Sequence, residues 1–182
     1  MFEFKINLDD DDYLLFNQYH LLNSPSGKKL LNVNRFIAPF ISLMLIFIFC
    51  ISGADLGLII VEAVTLGIIS IWWLFNSKKK ILKSMNKRIM KLKKEGRLPY
   101  SNEAILKFDD ERMQEITPNT ENTTKYSLIE KIAVTEKAIY IYISSIQAYI
   151  LPITAFSGEM EKLKFLEFIN RKAEILKETK QD

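Results

Sequence analysis

Residues 36–75 read FIAPFISLMLIFIFCISGADLGLIIVEAVTLGIISIWWLF. Two apolar runs, Phe36 to Ser52 and Leu56 to Phe75, are parted only by Gly53, Ala54 and Asp55. At ~1.5 Å per helical residue the second run crosses a hydrocarbon layer of ~30 Å. The first does so by borrowing Val33 and Asn34 or by thinning the bilayer locally. A transmembrane helical hairpin over 36–75 is therefore expected. The competing reading is a hairpin buried inside a soluble helical protein, but no other segment is apolar enough to cover it.

Average composition hides this. A mean hydropathy of +0.04 and 26% charged residues describe an ordinary soluble chain, because a very apolar stretch is averaged with charged flanks. Lys28, Lys29 and Arg35 precede the first run, and Lys78, Lys79, Lys80, Lys83, Lys87 and Arg88 follow the second. The connecting turn holds only Asp55. The positive-inside rule then puts both termini in the cytoplasm of a multi-pass inner-membrane protein. The start, Met1 to Asp12, has alternating polar residues and four aspartates, unlike a cleaved signal peptide.

The second helix is expected to run on past the span. Ile81, Met85, Ile89 and Leu92 form one stripe. Lys78 to Arg97 carries ten basic residues against Glu95, a net +9, so the rest of the chain is net −6 for a total of +3. Gly96 and Pro99 should end that helix. Lys78, Lys79, Lys80, Lys83, Lys87 and Arg88 are the candidate contacts for anionic lipid headgroups, each contributing ~1 kcal/mol near the surface. Nucleic acid is a poor partner for this charge, which is membrane-proximal and has no interleaved aromatics.

Outside the hairpin the periods are mixed. Phe2, Phe4, Ile6 and Leu8 share one face of a strand. Asp9 to Asp12 then caps a helix to about Leu22, with Tyr13, Leu15, Phe16, Tyr19 and Leu22 on its apolar side, stopped by Asn23 to Gly27. Ala104–Phe108 and Arg112–Thr117 flank a hairpin turn at Asp109–Glu111, and Pro118–Asn122 reads as a loop. Strands follow at 125–130, 131–136, 138–144 and 147–152, where Ile139, Ile141 and Ile143 oppose Tyr140 and Tyr142 on a half-buried sheet. A last helix starts near Ser157 with the stripe Met160, Leu163, Leu166, Ile169, Ala173 and Leu176, stapled by Phe156. The leading strand should join the later sheet, since an isolated strand is unstable. These segments divide the chain into 1–35, a hairpin over 36–75, a basic juxtamembrane helix over 76–99 and a cytoplasmic domain over 100–182.

Asp12-Tyr13, Tyr19-His20-Leu21 with Ser24-Pro25, the hairpin, Ile139 to Ile143, and Ile150-Leu151-Pro152 with Ala155-Phe156 occur in the order found in the YcxB-like family of bacterial membrane proteins, which this chain resembles. The resemblance implies two transmembrane helices and a cytoplasmic domain of pleckstrin-homology-like fold, an antiparallel sheet closed by a C-terminal helix. It implies no active site. Members often carry tryptophan near Tyr126 and a basic residue after Pro152; here Tyr126 and Ile153 stand there. The fold class expected is thus an α+β membrane protein.

Glu62 is the sharpest polar feature of the spans. A lone carboxylate at that depth has to be protonated or paired, with Ser42, Cys50, Thr65 or a second copy as neighbours. It is the intramembrane polar candidate for a proton or cation path through a homo-oligomeric channel or transporter component; the plainer reading is a helix–helix contact. Cys50 is the sole cysteine and His20 the sole histidine, so neither completes a metal site. Asp9 to Asp12 lacks the glycine and distal glutamate of a calcium loop, and no phosphate-cradling glycine loop occurs. Asn122-Thr123-Thr124 matches a glycosylation acceptor on what is expected to be the cytoplasmic side. No catalytic, cofactor-binding or metal-ligating residues are assigned. The expected role is a non-enzymatic inner-membrane protein whose pleckstrin-homology-like domain binds a protein partner or anionic lipid at the cytoplasmic face, with the homo-oligomeric channel or transporter component as the alternative.

Overall fold

The computed structural model describes residues 1–97 and 100–178, the last five of these by backbone alone. The chain divides into two compact units, Gln18–Arg97 and Met1–Asn17 with Leu98–Asp182. The fold is α+β: long apolar helices, small antiparallel sheets and a C-terminal helix.

The helical unit holds the end of α1 and all of α2 and α3. Helix α1 spans Asp10–Asn23, α2 Pro25–Ile51 and α3 Leu56–Lys94. Asp9 and Asp12 cap α1 reciprocally: the Asp12 N–H donates to Asp9 Oδ1 at 2.8 Å and the Asp9 N–H to Asp12 Oδ2 at 3.2 Å. The expected stop at Asn23–Gly27 is only one residue long. Pro25 holds Ser24 extended, which is the backbone an N-cap needs, and Ser24 Oγ accepts from the Gly27 N–H at 3.0 Å. A new helix therefore starts at Pro25, well before the apolar run. Gly27 makes the sharp turn possible, because a Cβ there would run into the Leu21 carbonyl. The buried residues of α1 are Leu14, Phe16 and Leu21, whereas Leu15 is exposed and Tyr13, Tyr19 and Leu22 only half-buried. The expected face is rotated, since Leu14 and Leu21 lie two turns apart on one side.

Between the long helices, Gly53 takes φ +73° and Asp55 caps α3 by accepting from the Gly57 N–H at 2.8 Å. Ser70 Oγ meets Ser42 Oγ at 2.9 Å, and Trp73 Nε1 donates to the Asn34 carbonyl at 2.7 Å. These bonds set an antiparallel register. Pro39 lies inside α2 and removes the N–H that would bond the Arg35 carbonyl. The continuation past the span holds: α3 is a single helix of 39 residues, about 58 Å long. Its end is a Schellman motif at Gly96 (φ +65°), with the Gly96 N–H on Lys93 O at 2.9 Å and the Arg97 N–H on Leu92 O at 3.0 Å. Pro99 lies outside the described residues.

The second unit is the sheet domain. Strands β1 (Phe2–Asn7), β2 (Glu103–Phe108), β3 (Arg112–Ile116) and β4 (Glu121–Lys125) form one antiparallel meander. Strands β5 (Lys131–Val134), β6 (Ala138–Tyr142) and β7 (Ala148–Pro152) form another. The leading strand does join the sheet, with Phe2 opposite Phe108 and Asn7 opposite Glu103. Asp109 Oδ1 receives the N–H groups of Glu111 and Arg112, both at 2.8 Å, and so closes the β2–β3 turn. Those two donors hold the Asp109 carboxyl below its ordinary pKa.

Three strand expectations change. Strand β4 begins inside the expected loop at Glu121, because Thr117 and Thr120 close a turn and leave Asn122, Thr123 and Thr124 to pair with β3. A 3-10 turn, Tyr126–Leu128, replaces the strand expected over 125–130. Tyr126 is there fully buried, its hydroxyl donating to the Asp109 carbonyl at 2.7 Å. Strand β6 is buried on both faces, not one.

Helix α4 (Glu159–Glu178) covers the β1–β2 sheet. Glu161 Oε2 accepts from the Ser157 N–H and hydroxyl at 2.7 and 2.8 Å, and this lowers the Glu161 pKa. The buried side of the helix is Phe165, Phe168, Ile169 and Ala173. Met160 and Leu163, expected inside, are 71% and 56% exposed. The aromatic pair decides which way the helix faces: Phe165 lies 5.1 Å from Phe4, 4.8 Å from Phe108 and 5.4 Å from Phe2. Leu176 lies outside the described side chains. Phe156 does reach the core, 4.8 Å from Phe4.

Candidate binding surfaces

The apolar faces of α2 and α3 are open. Phe40 is 64% exposed, Leu43 67% and Phe75 76%, and neither apolar stretch is buried in protein. A soluble core helix would be covered. Two such helices fit a membrane protein. Asp55 caps one end, while Trp72 and Trp73 form an aromatic belt about 27 Å further along α3.

Beyond that belt the basic residues begin. Lys78, Lys79, Lys80, Lys83, Lys87 and Arg88 are all exposed. Lys80 turns back, its ammonium 4.4 Å from the Trp72 ring and 4.8 Å from the Trp73 ring. Lys83 and Lys87 share a face with Lys91 and Lys94, and with Asn86 and Met90. The spacing of four, four and three residues is that of one helical stripe, so Lys91 and Lys94 could have been singled out from the sequence. Glu95 sits 3.8 Å from Lys91 and 3.5 Å from Arg97, both pairs at the surface. Ile89 is buried, with Ile81, Met85 and Leu92 half-buried, as their stripe implies.

Glu62 is half-buried on α3, about 10 Å along the helix from Asp55. Ser42 is not its neighbour, because Ser42 is engaged by Ser70 two turns further along. Thr65 bonds the Val61 carbonyl of its own helix at 2.9 Å, and Cys50 is exposed. Among the described residues no hydrogen bond or ion pair reaches Glu62. His20 lies on α1 outside the spans, where burial pushes its pKa down from 6.5. No group of three His, Cys, Asp or Glu side chains among the described residues could hold a metal ion.

A groove of about 920 Å³ opens in the sheet domain between β4 and β7. Its floor includes Thr124 Oγ1 against the Tyr149 hydroxyl at 2.6 Å, a buried bond joining the two sheets. Burial raises the Tyr149 pKa, and Glu115 across the groove adds to the effect. At one end Tyr13 stacks on Tyr100 with centroids 4.7 Å apart, and the Tyr100 hydroxyl donates to Asp10 Oδ1 at 2.9 Å. Sequence periodicity does not find this groove, because β4 begins inside the stretch 118–122 that reads as a loop and the groove's edges come from separate sheets.

Residues 108–169, from the end of β2 into α4, match the family model described as YcxB-like protein. The YcxB-like resemblance therefore holds for this stretch of the sheet domain; β1 and the hairpin lie outside the match. The family is not a known enzyme family. No curated protein and no solved structure gives a significant match.

Proposed function

We propose that this chain is a non-enzymatic inner-membrane protein with both termini in the cytoplasm. Its basic stalk lies against anionic lipid, and its sheet domain, read as pleckstrin-homology-like, binds a protein partner. The lysine stripe of α3 carries the lipid reading. Lys83, Lys87, Lys91 and Lys94 follow the Trp72–Trp73 belt on one exposed face. Four lysines at ~1 kcal/mol each give ~4 kcal/mol, close to a thousandfold in membrane partition. A four-stranded and a three-stranded antiparallel sheet crossed by a C-terminal helix support the pleckstrin-homology-like reading.

Vesicle binding by the peptide 78–97 tests the lipid contact. It should bind phosphatidylglycerol-containing vesicles, release in high salt, and lose about three orders of magnitude of partition when those four lysines become glutamine. Equal binding to neutral vesicles would refute the electrostatic account. The channel reading has one observation in its favour, that Glu62 finds no hydrogen bond or ion pair among the described residues of a single hairpin.

A further inference from the structure

The groove between β4 and β7 has two free strand edges, and their polarity follows from the ladders. The Thr117 N–H bonds the Thr120 carbonyl at 2.8 Å at the β3–β4 turn. Alternation through the pairs Glu115–Asn122 and Met113–Thr124 then turns the N–H and C=O groups of Glu121, Thr123 and Lys125 away from β3. On the other side the Ile143 N–H bonds the Gln147 carbonyl at 3.0 Å, so Ala148 and Ile150 turn theirs away from β6. Among the described residues the groove thus has unpaired backbone donors and acceptors on both walls, over a floor closed by Thr124 and Tyr149.

Its charge is one-sided. Among the described residues no lysine or arginine lines it, while Glu115 does. Tyr100 at its end is tied to Asp10, and burial first, then the charges of Asp9 and Asp12, push the Tyr100 pKa up; Lys137 faces Asp12. The whole sheet unit is net −7, with twelve basic against nineteen acidic side chains, whereas Gln18–Arg97 is net +10, with thirteen against three.

We infer that this groove receives an extended segment of a partner protein bearing lysine or arginine, which adds as a strand to the β4 or β7 edge. Backbone pairing supplies the affinity and the carboxylates choose the side chains. The stacked Tyr13–Tyr100 pair beside Asp10 would seat a cationic side chain against ring faces and a carboxylate. This rests on the partner-binding reading and assigns its site and the chemistry of its partner.

The test is selection of a random-peptide display library on the full-length protein in lipid nanodiscs. Enriched peptides should alternate β-branched residues and carry lysine or arginine. Glu115→Lys should weaken a selected peptide by about tenfold or more, and Thr123→Pro, which removes an edge donor, by a similar factor. Methylating alternate backbone nitrogens of the peptide should abolish binding. Absence of enrichment, enrichment without a basic bias, or binding indifferent to both variants would overturn the inference. So would a dimer that only Thr123→Pro dissolves, which would make a second copy the occupant. Glu115→Lys leaves the strand backbone unaltered, so a misfolded proline variant would not decide the matter alone. A native partner retained in pull-downs by both groove variants would leave the partner-binding reading standing without this site.

Discussion

Phe4→Ala is the sharpest probe of how the sheet domain is held together. Phe4 is 2% exposed, and its ring sits 4.8 Å from Phe156, 5.1 Å from Phe165 and 6.0 Å from Phe108. It thus lies where β1, β2 and α4 meet. Truncating a buried phenylalanine costs about 3–5 kcal/mol, the lost transfer energy plus the cavity. The three edge-to-face pairs place this site toward the upper end, because no neighbouring ring can collapse into the space without abandoning another contact. Hydrogen exchange on the intact protein in nanodiscs reads the loss locally. At 1.4 kcal/mol per factor of ten, opening of β2 should become about two to three and a half powers of ten more frequent. Amides of α3 within the span should be unchanged, since that helix belongs to the other unit. Unaltered protection of β2 would refute the pairing of Phe2–Asn7 with Glu103–Phe108.

Two further outcomes are expected. Glu62→Gln should leave membrane insertion and the mass of the detergent-extracted particle unchanged; loss of the particle on mass measurement would show that the carboxylate holds copies together. Burial lowers the His20 pKa from 6.5, so the folded state binds fewer protons there than the unfolded one. Its contribution is complete above 6.5 and is lost as pH falls through the folded value. Thermal melting compared at pH 7.5 and 5 should therefore show a smaller acid destabilisation for His20→Gln than for the parent; an equal drop would remove His20 from the account.

What could be read from the chain follows physical strength. The hairpin, the run-on of α3 to Gly96 and the alternation in Phe2–Leu8 are long or strictly periodic patterns, and they reappear at nearly the expected positions. Failures cluster where two local rules compete. Pro25 is a stop signal for one helix, yet the same ring begins the next once Ser24 supplies the cap. Strand β4 has no apolar alternation, being held by its partner β3 and by a single inward Thr124. Helix α4 has leucines at plausible spacing, but the larger rings of Phe165 and Phe168 capture the core and rotate Met160 and Leu163 outward. The six basic candidates were legible by type; that Lys91 and Lys94 share the stripe of Lys83 and Lys87 needed only helical spacing. The groove needed two sheets brought edge to edge, which no local pattern encodes.

The sheet domain is assembled from the two ends of the chain, and this sets an order of events during synthesis. Asn7 pairs with Glu103, 96 positions later. At ~5–20 residues per second the first strand leaves the ribosome about 5–20 s before its partner exists. For that interval Phe2, Phe4 and Ile6 form an unpaired edge, followed at once by Asp9 to Asp12, a run of charge that discourages pairing with the wrong strand. The intervening segment does not stay a loose loop. Once α2 and α3 associate through Asn34 and Trp73, much less loose chain is left between β1 and β2. Formation of the hairpin is thereby a step in folding the sheet domain, and a hairpin that fails to form should leave β1 exposed for proteases to find.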